Sequence, residues 1–342
     1  GVRPHGVAGG GTAFAVTRRD HHGGDIYAAA RELGLPPSRL LDFSASINPL
    51  GPSKRALRAV AKALTLACHY PDATCHGLVT ALASRWKLDS SHFVIGNGSS
   101  ELIHLVPRAL SIRHALILGP TFSEYERAVT NAGGCVTYLH AMRKDGYQIP
   151  IRQALTALRT NRDRFDTLFL CNPNSPTGQV APVQDILDLA GMAARRGVWV
   201  VVDETFVDYC EAHSVLSAVA RNPRLLVLRS FTKFYALPGL RIGCLAGPPE
   251  VVARIRRLQT PWSVNALAQA AAQAALEDRG HAQRSLAFMQ RERGRLAKAL
   301  GAIPGLHVFP SAANFLLVEL SPAMPAAQVT LALRQQGLLI RD

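Results

Sequence analysis

The chain has 342 residues, 48% of them hydrophobic, enough to bury a large core and to divide into two domains. A formal charge of +14 raises nucleic acid as a partner, but the arginines are dispersed. The densest groups, 254–257 and 291–295, fall on helix-like patterns with few aromatics nearby, so solvated helix faces and anionic small substrates are expected instead of a nucleic-acid site. No apolar run reaches the length of a membrane span or a secretory segment. The six cysteines (68, 75, 135, 171, 210, 244) include no CxxC pair, which reads as reduced core thiols of a cytoplasmic protein and not as a disulfide frame or a metal site.

In chain order, residues 1–20 read as an N-terminal extension and 21–52 as an arm, with a short helix in "HHGGDIYAAARELG" and a Pro/Gly-rich stretch in "LLDFSASINPLG". Strands are predicted at 93–96, 115–118, 168–171, 198–203, 225–229 and 242–247, and helices at 100–110, 123–132, 182–196 and 250–259. This alternation predicts an α/β fold over 53–260, a mostly parallel sheet covered on both faces. Past 260 the pattern changes to Ala-rich helices at 264–277 and 281–300 and a strand at 314–320, which predicts a smaller α/β domain over 261–342.

In such sheets ligands collect where the strands end. Polar loops follow the strands here: "GNGSSE" from 96, "GPTFSEY" from 119, "NPNSPTG" from 172, "DET" from 203 and "SFTK" from 230. The last contains Lys233, one of only six lysines (54, 62, 87, 144, 233, 298) and the one fenced by Phe231, Phe234, Tyr235 and Leu237. An apolar fence disfavours the ammonium form, so this amine is the expected nucleophile toward a carbonyl.

"SFTKFYALPGLRIG", with "NPNSPTG" and "DETF" upstream in order, resembles the fold type I pyridoxal-phosphate enzymes. Within them it is similar to the branch of histidinol-phosphate aminotransferases and threonine-phosphate decarboxylases, from about residue 21 onward. The resemblance implies that Lys233 is the Schiff-base lysine, that Asp203 pairs with the pyridine nitrogen, and that Ser230, Arg241 and the amides of Gly98, Ser99 and Ser100 hold the cofactor phosphate. It further implies that Phe122 stacks on the cofactor and that Tyr70 reaches the phosphate of a partner subunit in a homodimer with shared sites.

Two departures matter. Relatives place Asn directly before "PTG" to meet the cofactor's phenolic oxygen; Ser175 stands there, so that contact falls to Asn174 or Ser175. Phe206 replaces the tyrosine of the common "DEAY". The stretches "HGGDIY", "LLDFSASINPLG" and "PWSVNALA" look like the decarboxylases, which implies L-threonine O-3-phosphate as substrate and a place in cobalamin synthesis; an aminotransferase acting on histidinol phosphate is the alternative. His22, Ser46 and Arg341 are the implied substrate-side residues. Relatives continue past "GLLIR" to a further strand with a second carboxylate-binding arginine, so the 342-residue chain is expected to bind cofactor but turn over poorly.

Overall fold

The computed structural model describes residues 23–160 and 165–342. Helix α1 (Ile26–Leu33) and strand β1 (Leu41–Asp42) come first, then α2 (Lys54–Ala63), α3 (His76–Trp86), β2 (Phe93–Gly96), α4 (Gly98–Leu110), β3 (His114–Gly119), α5 (Glu124–Asn131) and β4 (Cys135–His140). The middle of the chain forms α6 (Ile151–Thr160), β5 (Thr167–Cys171), α7 (Val183–Arg195), β6 (Trp199–Asp203), β7 (Leu225–Ser230) and β8 (Gly243–Ala246). Last come α8 (Pro249–Leu258), α9 (Ala266–Glu277), α10 (Arg279–Gly301), β9 (Leu306–Val308), β10 (Val318–Leu320), α11 (Ala326–Gln335) and β11 (Leu338–Leu339).

The chain packs as two compact units. The larger, residues 46–321, is built on a seven-stranded sheet of order β2-β8-β7-β6-β5-β3-β4. Only β8 runs against its neighbours, so the sheet is mostly parallel, and β5, β6 and β7 are buried along their length except at Trp199. That double-sided burial is why these strands read as continuous apolar runs. Alternate residues feed two helical layers: Leu168, Leu170, Val200 and Val202 pack with α3, α6, α7 and α9, while Phe169, Cys171 and Val201 pack with α4, α5 and α8.

The expected boundary at 261 is not where the chain divides. Ala268, Ala271, Ala272 and Ala275 of α9 are buried in the same core as Ala56 of α2. Two helices with alanine at their contact approach closely, so the Ala-rich face belongs to the large unit, and Arg55 pairs with Glu277 across the two helices. The smaller unit joins residues 23–45 to 322–342. In it β1 pairs in parallel with β11, Leu41 opposite Leu338, and Arg334 Nε donates to Glu32 Oε2 at 3.0 Å.

Candidate active site

Strands β2, β3, β5, β6 and β7 run in one direction and so end on one edge of the large unit's sheet. At that edge stand Asp203 and Ser230, the last residues of β6 and β7, the first turn of α4 with Gly98, Ser99 and Ser100, and the loops carrying Phe122, Asn174 and Lys233, while Arg241 precedes β8 beside them. Register does the assembling. Gly243 of β8 faces Ser230 on one side and Gly96 on the other. A Cβ on Gly243 would fall 2.5 Å from Ser99 N, and one on Gly98 would fall 2.5 Å from Arg241 Nη2. Glycine is favoured at 98 by its φ of 78°, and a side chain there would displace the Arg241 guanidinium. Arg241 also takes a left-handed conformation, φ 57°, which is sparsely populated for a residue with a side chain. The first amides of α4, which the Asn97 side chain does not cap, thus stand beside the Arg241 guanidinium. Ser230 Oγ lies 2.7 Å from Thr232 Oγ1, so the serine is held by its neighbour.

Asp203 is buried, 4% exposed. Its Oδ1 accepts from Thr205 N at 2.9 Å and Thr205 Oγ1 at 2.6 Å, and its Oδ2 from the Tyr125 hydroxyl at 2.7 Å. All three donors are neutral. Burial pushes the carboxyl above its ordinary range, with the donors from Thr205 and Tyr125 pulling the other way.

Lys233 is half-buried, and its Nζ lies 5.9 Å from the centre of the Phe206 ring. This corrects the expected fence: Phe231, Phe234, Tyr235 and Leu237 are themselves core residues packed with the α3 and α9 layer, and the ring that faces the amine is Phe206. The lysine's backbone is clamped from the far end of the chain's first loop. Asn48 N donates to Lys233 O at 3.0 Å, and Asn48 Nδ2 donates to Phe234 O at 2.9 Å and Ser285 Oγ at 2.8 Å.

Asn174 spends both amide hydrogens, one on Thr177 Oγ1 in its own loop and one on Pro120 O in the loop after β3, each at 2.9 Å. It therefore has no donor left for a phenolic oxygen, and its buried Oδ1 has no partner. Ser175 beside it is half-exposed with a hydroxyl to give. Phe122 is half-buried and meets the Tyr125 ring edge-on at 5.8 Å. Tyr70 is 78% exposed and stacks on Trp262 at 4.3 Å.

Of the substrate-side residues, Ser46 sits two positions before the Asn48 clamp in a left-handed conformation, φ 51°, and its carbonyl accepts from Asn314 Nδ2 at 2.7 Å. Arg341 is exposed and follows β11 in the smaller unit. His22 lies outside the described residues.

On the other face of the sheet, one residue past Asp203, Glu204 is fully buried against Arg229. Arg229 Nε lies 2.9 Å from Glu204 Oε2, close enough for an ion pair but not aligned for a hydrogen bond. The same guanidinium reaches Asp208 at 3.6 Å and forks onto both oxygens of Glu211 at 3.0 and 2.8 Å. Burial pushes Glu204 and Asp208 each up to about 6, Arg229 opposing it. For Glu211 burial is outweighed by the bonds from Arg229, and its carboxyl is held below the usual range.

Asn48, Tyr125 and the supporting part of Thr205 are missing from the sequence reading. Tyr125 stands three residues after Phe122 on an amphipathic helix, where an aromatic reads as core; Asn48 acts over 185 or more residues of chain, a separation no local pattern reveals.

A mostly parallel sheet with helices on both faces, a lysine after one strand end and a buried carboxylate at the next define the class: this is the fold type I architecture of pyridoxal-phosphate enzymes. The chain belongs to the aminotransferase class I and II family, whose model matches residues 38–342. It is 40% identical over 303 residues to the threonine-phosphate decarboxylase of Salmonella typhimurium, covering 87% of this chain and 81% of that one. It is 35% identical over 323 residues to the histidinol-phosphate aminotransferase of Roseiflexus castenholzii, covering 91% and 84%. Among solved structures, the histidinol-phosphate aminotransferase of Sinorhizobium meliloti in complex with pyridoxal-5'-phosphate matches in fold with a TM-score of 0.86, at 22% identity over 97% of this chain and 90% of that one.

Proposed function

We propose that this chain is a pyridoxal-phosphate enzyme that decarboxylates L-threonine O-3-phosphate to 1-amino-2-propanol O-2-phosphate and carbon dioxide. The observation that carries the cofactor assignment is Asp203, a buried carboxylate met, among the described residues, only by neutral donors, at the sheet edge that also carries Lys233, Ser230, Arg241 and the α4 amides. This edge fits the group: a carboxylate for a ring N–H, a guanidinium and first-turn amides for a phosphate, and a lysine just past the end of β7. When bound, pyridoxal phosphate supplies a sink for the electron pair left at the substrate's α-carbon as a bond there breaks.

The chain's residues would divide the work as follows. Arg241, Ser230 and the amides of Gly98, Ser99 and Ser100 bind phosphate. Asp203 keeps the ring nitrogen protonated, and Phe122 covers a ring face. Lys233 would hold the cofactor covalently and would hold and deliver the proton at the substrate's α-carbon. Ser175 gives the hydroxyl that Asn174 lacks. Ser46 would hold an oxygen of the substrate, and the resemblance assigns His22 and Arg341 to the substrate side as well. Tyr70, exposed and braced by Trp262, reaches the site of a second copy in a homodimer.

Decarboxylation is favoured over amino transfer by the higher identity to the Salmonella decarboxylase and by the likeness of the segment around Ser46, "LLDFSASINPLG", to the decarboxylases. The likeness to the Roseiflexus enzyme supports amino transfer as the second reading. Purified protein with cofactor is given threonine phosphate and carbon dioxide is measured, then histidinol phosphate with 2-oxoglutarate and glutamate is measured. Carbon dioxide release in the first supports the proposal; glutamate in the second without carbon dioxide in the first replaces it. Lys233→Ala separates cofactor from substrate: it should abolish the borohydride-reducible visible band, and a variant that kept that band would refute the assignment of the lysine.

A further inference from the structure

The Asp203 carboxylate has about four lone-pair directions, two on each oxygen. Thr205 N–H and Oγ–H occupy both on Oδ1, and the Tyr125 hydroxyl occupies one on Oδ2. One direction is left. Tyr125 decides which, because it is the sole donor on that oxygen among the described residues. Its ring cannot turn away: it is 1% exposed, stacks on Phe169 at 5.5 Å with 15° between planes, and meets Phe122 edge-on at 5.8 Å. Tyr125 comes from α5, but the Phe169 ring it stacks on is in β5, the strand next to the one that ends in Asp203, so the phenol is braced against the same sheet that carries the carboxylate. We infer that Tyr125 is a positioning residue: its hydroxyl fixes the open lone pair of Asp203 toward the cofactor's ring nitrogen and keeps that carboxylate ionised, while its ring braces Phe122.

The inference rests on the reading of Asp203 as the ring-nitrogen partner. Burial and the neighbouring Asp203 charge push the Tyr125 phenol well above its ordinary range, so it remains a donor throughout the working pH range. Without that donor the desolvated carboxylate gains proton affinity, and a proton shared with the ring nitrogen moves toward the oxygen. The sign is therefore set: loss of the hydroxyl should make the bound ring nitrogen less protonated.

The test uses full-length holoenzyme loaded with cofactor carrying 15N in the ring, compared among the parent, Tyr125→Phe, Asp203→Asn and the double variant, with folding of each checked by thermal unfolding. In Tyr125→Phe the 15N signal should move toward the unprotonated position, with kcat lower by about tenfold and KM little changed. Asp203→Asn should move the signal further, and adding Tyr125→Phe to it should change nothing more. If Asp203→Asn moves the signal and Tyr125→Phe leaves it in place, Tyr125 is only a core aromatic and the inference falls while Asp203 stands. A signal unmoved in both variants removes the Asp203 reading and the inference with it. Should Tyr125→Phe fail to fold, Phe169→Leu, which loosens the phenol but keeps its hydroxyl, must shift the signal in the same direction by a smaller amount; an unshifted signal there overturns the inference.

Discussion

Asp203 and Glu204 are chain neighbours and both are buried carboxylates, yet the protein surrounds them in opposite ways. Asp203 faces the α4 and α5 layer and, among the described residues, receives only neutral donors, from Tyr125 and Thr205. Glu204 faces the other layer and lies against Arg229, with Val215 N and Ser214 Oγ donating to it at 2.6 and 2.7 Å. Arg229 collects Asp208 and Glu211 as well, so that cluster is closed upon itself. A buried carboxylate whose charge is not met by a cation costs the fold stability, and retaining one is the mark of a group that waits for a charge from outside. The strand's period of two puts the working residue and the structural one on opposite faces at consecutive positions.

The largest expected effect breaks the first half of this comparison. Asp203→Asn keeps the shape and an acceptor for Thr205 while removing the charge, so kcat should fall on the order of 10²–10³-fold, with cofactor still held through its phosphate. The cofactor-free protein should melt at the same temperature as the parent or higher, because a desolvated charge is gone. Near-parent turnover, or a large loss of melting temperature, would place Asp203 among the structural carboxylates. Arg229→Met is the converse. It leaves Glu204 and Asp208 buried without their cation, and unfolding free energy should drop by about 3–5 kcal/mol, while whatever protein remains folded binds cofactor normally. A stable variant that has lost cofactor affinity would move Arg229 to the working side.

How much of this contrast a sequence carries can be argued residue by residue. The strands buried on both faces are legible because nothing polar interrupts them: 93–96 is observed as Phe93–Gly96 and 225–229 as Leu225–Ser230. Strand β4 escapes notice because it is the edge strand, half-exposed, and its Cys135–His140 run mixes polar and apolar residues without clean alternation. The predicted strand at 314–320 shrinks to Val318–Leu320, since only that stretch finds a partner, in β9. The motif around Lys233 is legible through resemblance, but its surroundings are not. Phe206 faces the amine from a loop 27 positions earlier, and Arg229, which reads as the polar end of an apolar strand, finds its carboxylates 18 to 25 positions back. Pairings of this kind are set by the sheet's order, which no local pattern encodes.

The smallest effect sharpens the second half of the comparison through pH. Burial raises the folded-state value of Glu204 to about 6 from an ordinary 4.5, so the folded protein binds that proton more tightly than the unfolded chain does. A raised acid contributes stability that is fully present below its unfolded value and is lost as pH climbs through its folded value. Gln at 204 cannot titrate, yet keeps an oxygen to accept from Val215 N. Subtracting the stability of Glu204→Gln from that of the parent at each pH reports Glu204 together with what its charge does to Asp208 and Glu211 through the shared Arg229. The difference should fall by about 2 kcal/mol between roughly pH 4 and pH 7. Denaturant melts at four or five pH values measure it. Parallel curves would mean that Arg229 cancels the effect of burial on Glu204, and a difference that rises with pH would mean the ion pair dominates, making the Arg229 cluster a stabilising charge network and Asp203 the only carboxylate of the two that is held against its own hydration.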